Sequence, residues 1–370
     1  MPRSNNIFSY HPGKALYTAY FLIIALVKVP FIFLYYIPQK LRPFPSWTYG
    51  AAVGVYVVEL FLRYASAVEF KAPKSLEPGK EGDRFVVIEP GADDRYTGIL
   101  KDKKIKPEVI GGVWYPAPYS TDIARDKKII LHIHGGGFVI FGARERDIGF
   151  GARNLSAHFD GALVFAPQYR LATAENGRFP AAIQDALSAY LYLLEDLQTD
   201  SSRIIFSGDS AGGSIILALL RYISETKLLP YPVAMLLWSP WVNVSDPDHV
   251  SSSKNRDVDM IRADFLRWGV QALTDHSSAV DPSNRYISPL QAPFNTPVPI
   301  WITMGSGESF YESIKSFTDV MQAKGNKVKL HVIIDAPHDL LLGSKMLGFR
   351  RELNAGMDQA WELITENSWE

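Results

Sequence analysis

Gly208-Asp209-Ser210-Ala211-Gly212 sits between a β-branched run, Arg203–Ser207, and a helical period, Ala211–Glu225. A tight strand-to-helix turn there would lift the Ser210 hydroxyl above a sheet edge, and the small neighbours leave the backbone room. The helix would aim its free N–H groups and positive end at that oxygen. A serine hydroxyl attacks a carbonyl only if a base takes its proton and donors meet the oxyanion that forms. His134-Gly135-Gly136-Gly137-Phe138, which follows the strand-like run Lys128–His134, supplies such donors. Backbone free of side chains lets two N–H groups converge on one oxygen; we assign Gly135 and Gly136, with Ala211 N–H as the third.

The base is expected to be His338, in Asp335-Ala336-Pro337-His338-Asp339, just past the last strand-like run, Val328–Ile334. That loop falls on the sheet edge expected to carry Ser210, and Pro337 stiffens its approach. Of the other late histidines, His276 lies in a long insertion and His331 inside a strand. Glu308, after the run Ile300–Met304 and Gly305-Ser306-Gly307, is the candidate acid, with Glu312 one helical turn later as the alternative. Asp335 and Asp339 lie too near His338 in sequence to orient it from a separate loop. Together these groups would form and resolve an acyl-serine.

Several neighbouring residues read more simply. His132 and His134 share a strand face, but no third metal ligand accompanies them, and no metal or organic cofactor is implied. Asp209, Tyr169 and Arg170 read as scaffold. Phe138, Trp241, Phe265 and Trp268 are candidates to line an acyl or alcohol pocket, which suits a hydrophobic small molecule.

The elements that must hold these residues follow from periodicity. Strands are expected over Arg84–Glu89, Val109–Tyr115, Lys128–His134, Ala162–Ala166, Arg203–Ser207, Val233–Trp238, Ile300–Met304 and Val328–Ile334. The first two read as a hairpin. Helices are expected over Phe179–Leu194, Ala211–Glu225, Ser309–Lys324 and Arg350–Thr365. Strand–helix alternation implies a mostly parallel central sheet with helices on both faces. Residues 243–297 interrupt the alternation and read as a cap insertion, with an amphipathic segment over Met260–Leu273.

The N-terminal region is different. Ala15–Ile37 is a 23-residue apolar run broken only by Lys28 and Pro30. As a helix it would reach roughly 35 Å, against a hydrocarbon core of about 30 Å. Its thirteen Leu, Ile, Val and Phe residues would contribute roughly −4 to −8 kcal/mol to insertion, while Lys28 costs about 2.5 to 3.5. A second stretch, 49–64, places Val53, Val57, Leu60 and Tyr64 on one stripe. Two readings follow. The run anchors the protein in or on a membrane, kinked or interfacial, with Tyr35, Tyr36 and Trp47 at headgroup level; or it is a lid helix. The expected division is residues 1–70, hydrophobic and membrane-associated or lid-forming, and 71–370, catalytic, with Lys71–Lys80 as linker.

Composition excludes other classes. The 370 residues carry 38 Lys and Arg against 39 Asp and Glu, a net charge of −1, which leaves no electrostatic footprint for nucleic acid. Cysteine is absent, so there is no disulfide framework, thiol nucleophile or Cys-ligated metal. Apolar residues make up 47%, enough for a large core and incompatible with wholesale disorder.

The motifs together resemble the hormone-sensitive-lipase group of α/β-hydrolases, which includes microbial carboxylesterases and arylacetamide-deacetylase-like enzymes. The resemblance runs from about Asp126 to Leu341. It is carried by His134–Phe138, Tyr169-Arg170-Leu171-Ala172, Phe179-Pro180-Ala181-Ala182, Gly208–Gly213, Ile287-Ser288-Pro289-Leu290 and Pro337-His338-Asp339. It implies an α/β-hydrolase fold and a triad of Ser210, Glu308 and His338, since the family's acid precedes the histidine by about thirty residues. The chain departs from the family in Thr173–Arg178, which follows Tyr169–Ala172, and in a glutamate where aspartate is commoner. The apolar N-terminus resembles that of membrane-anchored fungal-type members and implies an endomembrane location such as the endoplasmic reticulum. The implied activity is hydrolysis of a hydrophobic ester or lactone. The same machinery would close a lactone if an internal hydroxyl outran water at the acyl-enzyme, and a receptor that had lost catalysis would typically lack a triad member.

Overall fold

The computed structural model describes residues 6–72, 75–274 and 280–366. The chain opens with α1 (Gly13–Tyr35), followed after a proline-rich turn by α2 (Tyr49–Ala67). The antiparallel pair β1 (Phe85–Ile88) and β2 (Ile110–Tyr115) comes next, then the single-turn α3 (Thr121–Ala124). Alternation then sets in: β3 (Ile129–Ile133), α4 (Glu145–His158), β4 (Leu163–Gln168), α5 (Ala181–Leu191), β5 (Ile204–Asp209), α6 (Ala211–Thr226) and β6 (Ala234–Trp238). The insertion contributes α7 (Ala263–Thr274). The chain ends with β7 (Ile300–Gly305), α8 (Tyr311–Ala323), β8 (Val328–Ile333), α9 (Leu340–Leu347) and α10 (Arg350–Glu366).

The eight strands form one sheet in the order β1-β2-β4-β3-β5-β6-β7-β8. Pairing is antiparallel from β1 to β2 and from β2 to β4, and parallel from there on. Every residue of β3, β5, β6 and β7 is buried, as a sheet covered on both faces requires. Register sets Gly208 beside Ile133, Asp209 beside Trp238, and Gly305 beside Ile333. The loops after β3, β5, β6, β7 and β8 therefore emerge along one edge.

All eight expected strands are present, with ends shifted by at most two residues. Besides the single-turn α3, two helices were not anticipated. α4 carries Gly149 and Gly151, poor helix formers. A Cβ on Gly151 would lie 3.0 Å from Leu342 and 3.2 Å from the Leu341 carbonyl, so the glycine lets α4 press against α9. α9 follows the expected histidine loop so closely that its apolar residues read as an extension of that loop.

The core runs across the expected boundary at residue 70. Trp47, Ala51, Ala52, Val55, Leu62 and Ala65 belong to the same buried cluster as the sheet. The stretch expected as a linker is tied down too: the Arg144 guanidinium donates to the carbonyls of Ser75 (2.8 Å), Glu77 (2.7 Å) and Pro78 (2.7 Å) and to Glu81 Oε2 (2.9 Å).

By contrast, α1 has no buried residue and is helical straight through Pro30. It touches the rest of the protein along α2, where Thr18 Oγ1 meets Tyr64 OH at 3.0 Å and Phe21 packs on Tyr64. Arg42 closes its C-terminus by donating to the carbonyls of Tyr36 (3.1 Å) and Ile37 (3.2 Å), and reaches the Trp47 carbonyl on the far side of the turn (3.0 Å). Beyond that turn the chain grips the loop after β8. The Trp47 indole N–H donates to the Asp335 carbonyl and the Ser46 hydroxyl to the Asp335 carboxylate, both at 2.6 Å.

Candidate active site

Ser210 caps α6 at φ +48°, ψ −118°, a sparsely populated conformation for a residue with a side chain. The surroundings hold it there: its N–H donates to the Trp238 carbonyl (2.9 Å), and its carbonyl accepts from Gly213 (3.0 Å) and Trp241 (2.9 Å). Glycine is obligatory beside it. A Cβ on Gly212 would stand 2.0 Å from the Ile133 carbonyl oxygen.

His338 and Glu308 reach this serine from the loops after β8 and β7. His338 Nε2 lies 3.0 Å from Ser210 Oγ, and His338 Nδ1 lies 2.8 Å from Glu308 Oε2. Glu308 is completely buried. Its other oxygen accepts from the Gly305 N–H (2.8 Å) and the Ser239 hydroxyl (3.3 Å). Glu312, the alternative acid, is 69% exposed and pairs with Lys254 on the surface. The Phe310 ring stands edge-on to the His338 imidazole at 5.0 Å.

Burial favours the neutral forms of both His338 and Glu308. For His338 the Glu308 hydrogen bond and charge outweigh it, and the imidazole is pushed up to about 9. For Glu308 burial wins, and its carboxyl is raised above the ordinary range despite the His338 bond.

Sequence reasoning missed the groups that hold these two loops together. Asp259, from the insertion, accepts the His338 N–H on one oxygen (3.0 Å) and the Ser309 N–H on the other (2.7 Å). Asn255 donates to the carbonyls of Ser306 (2.8 Å) and Glu308 (2.9 Å). Nothing local could have pointed to them, since Asn255 and Asp259 stand among many other polar residues of the insertion. His331 packs on Trp301 within the sheet, away from the serine, and His276 lies outside the described residues.

The oxyanion assignment needs one correction. The Gly135 N–H donates to Asp209 Oδ2 at 2.8 Å, so it is not available to a substrate. The N–H groups of Gly136, Gly137 and Ala211 have no hydrogen-bond partner among the described residues. The loop itself is firmly seated. Tyr169 donates to the His134 carbonyl (3.0 Å) and stacks on the His134 ring, and the Phe138 carbonyl accepts from Ala172 (2.8 Å). Arg170 underpins Tyr169 through a buried ion pair with Asp185 (2.7 Å). The ring nitrogens of His132 lie against Ser207 (3.0 Å) and Asp209 (3.1 Å).

The four expected pocket aromatics are all buried. Phe138 packs on Trp241, which stacks on Phe310, so these rings continue the wall that flanks His338. Phe265 and Trp268 project from α7, and the Phe265 ring lies directly over Gly137. An apolar void of about 20 Å³ borders Phe138, Ser214, Leu273 and Ile287. Two larger hollows, about 460 and 550 Å³, open elsewhere, behind the β8 loop and around Glu225 and Arg285, and neither is lined by Ser210, Glu308 or His338. α7 covers the glycine loop, and α2 packs on α7.

Residues 130–342 match the family described as alpha/beta hydrolase fold. An acetyl-hydrolase of Streptomyces hygroscopicus is 27% identical over 208 residues, 55% of this chain and 65% of that protein. Carboxylesterase NlhH of Mycobacterium tuberculosis is 28% identical over 298 residues, 76% of this chain and 81% of that one. Among solved structures, a hormone-sensitive lipase from a metagenome library is 26% identical with a TM-score of 0.58, covering 70% of this chain and 82% of its own. With more than half of its length matched to the family, and the sheet order and glycine-flanked serine turn in place, the chain belongs to the hormone-sensitive-lipase-like α/β-hydrolases.

Proposed function

We propose that this chain is a serine carboxylesterase acting on hydrophobic esters. The observation that carries the reading is the continuous relay from Ser210 Oγ through both nitrogens of His338 to buried Glu308. Neutral His338 takes the Ser210 proton as Oγ attacks the ester carbonyl. The oxyanion is met by the N–H groups of Gly136 and Ala211, with Gly137 in the place first given to Gly135. Glu308 holds the imidazole tautomer and stabilises the imidazolium. That imidazolium returns its proton to the leaving alkoxide, leaving an acyl-serine. Water then repeats the cycle, giving up a proton to His338 as its oxygen joins the carbonyl, and Ser210 leaves with that proton. No observation favours ring closure over hydrolysis. An organophosphonate should label one residue per chain, Ser210, with loss of turnover on a medium-chain aryl ester in step with labelling. Ester turnover by a chain left unlabelled at Ser210 overturns the reading.

The membrane reading of α1 is supported by its exposed apolar surface. Leu16, Ile23, Leu26, Val27 and Leu34 are 66–77% exposed. α2 divides its faces, with Ala51, Val55, Leu62 and Ala65 against the protein and Val57 and Phe61 outward. Removing residues 1–37 should therefore release the protein from phospholipid vesicles in a flotation assay. Turnover of a short water-soluble ester should stay within about threefold, less than 1 kcal/mol of barrier. Extending the deletion to Val68 should instead abolish folding. It strips Trp47, Val55 and Leu62 from the core at about 1.5–3 kcal/mol each, against a net stability of about 5–15. Full-length protein that stays off vesicles without detergent would rule out the anchor and leave α1 as a lid.

A further inference from the structure

Two carboxyls, the first fully buried and the second half-buried, flank the reacting groups without belonging to the relay. Asp209 precedes the nucleophile and Asp339 follows the base. Their side chains lie within hydrogen-bonding reach of each other. The Oδ1 atom of each is sealed from solvent and has no well-aligned donor among the described residues; His132 Nε2, 3.1 Å from Asp209 Oδ1, is out of line.

Carboxylates are acceptors only, so two ionised groups in this position would repel in a medium that cannot screen them. A single proton between them removes the repulsion and supplies the missing donor. Its location follows from the neighbours. Asp209 Oδ2 accepts the Gly135 N–H, and Oδ1 lies 3.1 Å from His132 Nε2. An ionised carboxylate only accepts, so the His132 Nε2 facing it carries a hydrogen, while on the ring's other side Nδ1 lies 3.0 Å from Ser207 Oγ, which accepts from Trp238 Nε1 at 3.0 Å. Burial works against an ionised Asp209, but His132 and His134 outweigh it and hold the carboxyl below its ordinary range. Asp339 has no such support. Burial and the facing charges of Asp209 and Glu308 push it well above the ordinary range, with His338 only partly opposing them.

We propose that Asp339 is a positioning residue: as a neutral acid it donates its proton to Asp209. That one bond ties the loop carrying His338 to the strand end carrying Ser210 and, through Gly135, to the oxyanion loop. It also leaves Glu308 as the only anion bonded to the imidazole. The inference rests on the serine-hydrolase reading of the site.

The backbone supplies a clean test. Asp339 sits at φ +54°, a conformation that asparagine and glycine both accept. Asp339→Asn keeps a donor aimed at Asp209; Asp339→Gly removes it without straining the turn. The glycine variant should lose about 10- to 100-fold in kcat with KM little changed, and asparagine should restore most of the loss. Wild-type protein in heavy water at neutral pH should show the infrared carbonyl band of a protonated carboxyl, absent from the asparagine variant. A glycine variant as active as wild type, an asparagine variant as poor as glycine, or no such band in the wild-type-minus-asparagine difference each overturns the proposal. The band is read without substrate. A band in a chain that organophosphonate fails to label keeps the shared proton and sinks the hydrolase reading, and labelling without the band does the reverse.

Discussion

Ser210→Ala and His338→Ala should each lower kcat by about 10⁴–10⁶, and the double variant should be no slower than either alone. The reason is the single relay in which these side chains stand. With Oγ gone there is no atom for His338 Nε2, 3.0 Å away, to deprotonate. With the imidazole gone, Ser210 remains a neutral hydroxyl of very low nucleophilicity. The residual rate comes from the oxyanion donors and substrate binding, which both variants share. Folding should survive the serine change, since the Ser210 backbone bonds to Trp238, Gly213 and Trp241 remain. Circular dichroism with steady-state kinetics checks both statements. A well-folded Ser210→Ala preparation with near-normal turnover would remove the mechanism.

Glu308→Gln is the second large effect, about 10²–10⁴ in kcat, with a displaced pH profile as its signature. Catalysis needs neutral His338, whose imidazole is held at about 9 by Glu308 against the opposing pull of burial. In the wild type, kcat/KM should therefore rise with pH through about 9 and level off above it. Glutamine keeps the shape and removes the charge, so burial is then opposed mainly by the weaker pull of the Asp259 charge. The inflection should move to lower pH while the plateau falls, because the imidazolium formed on attack has lost its counter-charge. Glu312→Gln, on an exposed surface pair, and Asp335→Asn, whose Oδ1 still accepts from Ser46, should change little. An inactive Asp335→Asn beside an active Glu308→Gln, or an unmoved inflection in Glu308→Gln, contradicts the assignment of the acid.

The parts of this site visible in sequence are those whose chemistry is local. Strands β3, β5, β6 and β7 are buried on both faces and appear as mainly β-branched and apolar runs, interrupted by His132 in β3 and by the Ser207-Gly208-Asp209 end of β5. The serine turn advertises itself because only glycine fits at Gly208 and Gly212, two residues to either side of Ser210. Glu308 and Glu312 were hard to separate because the helix was expected to begin at Ser309. α8 begins at Tyr311, so Glu308 lies in the turn beneath the histidine while Glu312 is carried to solvent on the first turn of α8. Gly135 was misassigned for a related reason: a run of glycines shows how many N–H groups are free of side chains, but not which of them a carboxylate 74 residues away has taken. Asp259 clamps loops that follow it by 50 and 79 residues, and no periodicity encodes a partnership of that span.

The grip of Ser46 and Trp47 on Asp335 joins positions 289 and 288 residues apart, more than three-quarters of the chain. Closing so large a loop is among the slowest kinds of step in forming a protein, and synthesis runs from the N-terminus. The α1–α2 hairpin is therefore made well before β8 and the turn beyond it, and Trp47 gains its Asp335 partner only once they follow. Only then is the corner three residues before His338 clasped and the imidazole brought over the serine. On the proposed mechanism, a nascent chain holding Ser210 and the glycine loop but not yet Asp335 and His338 has a nucleophile without its base.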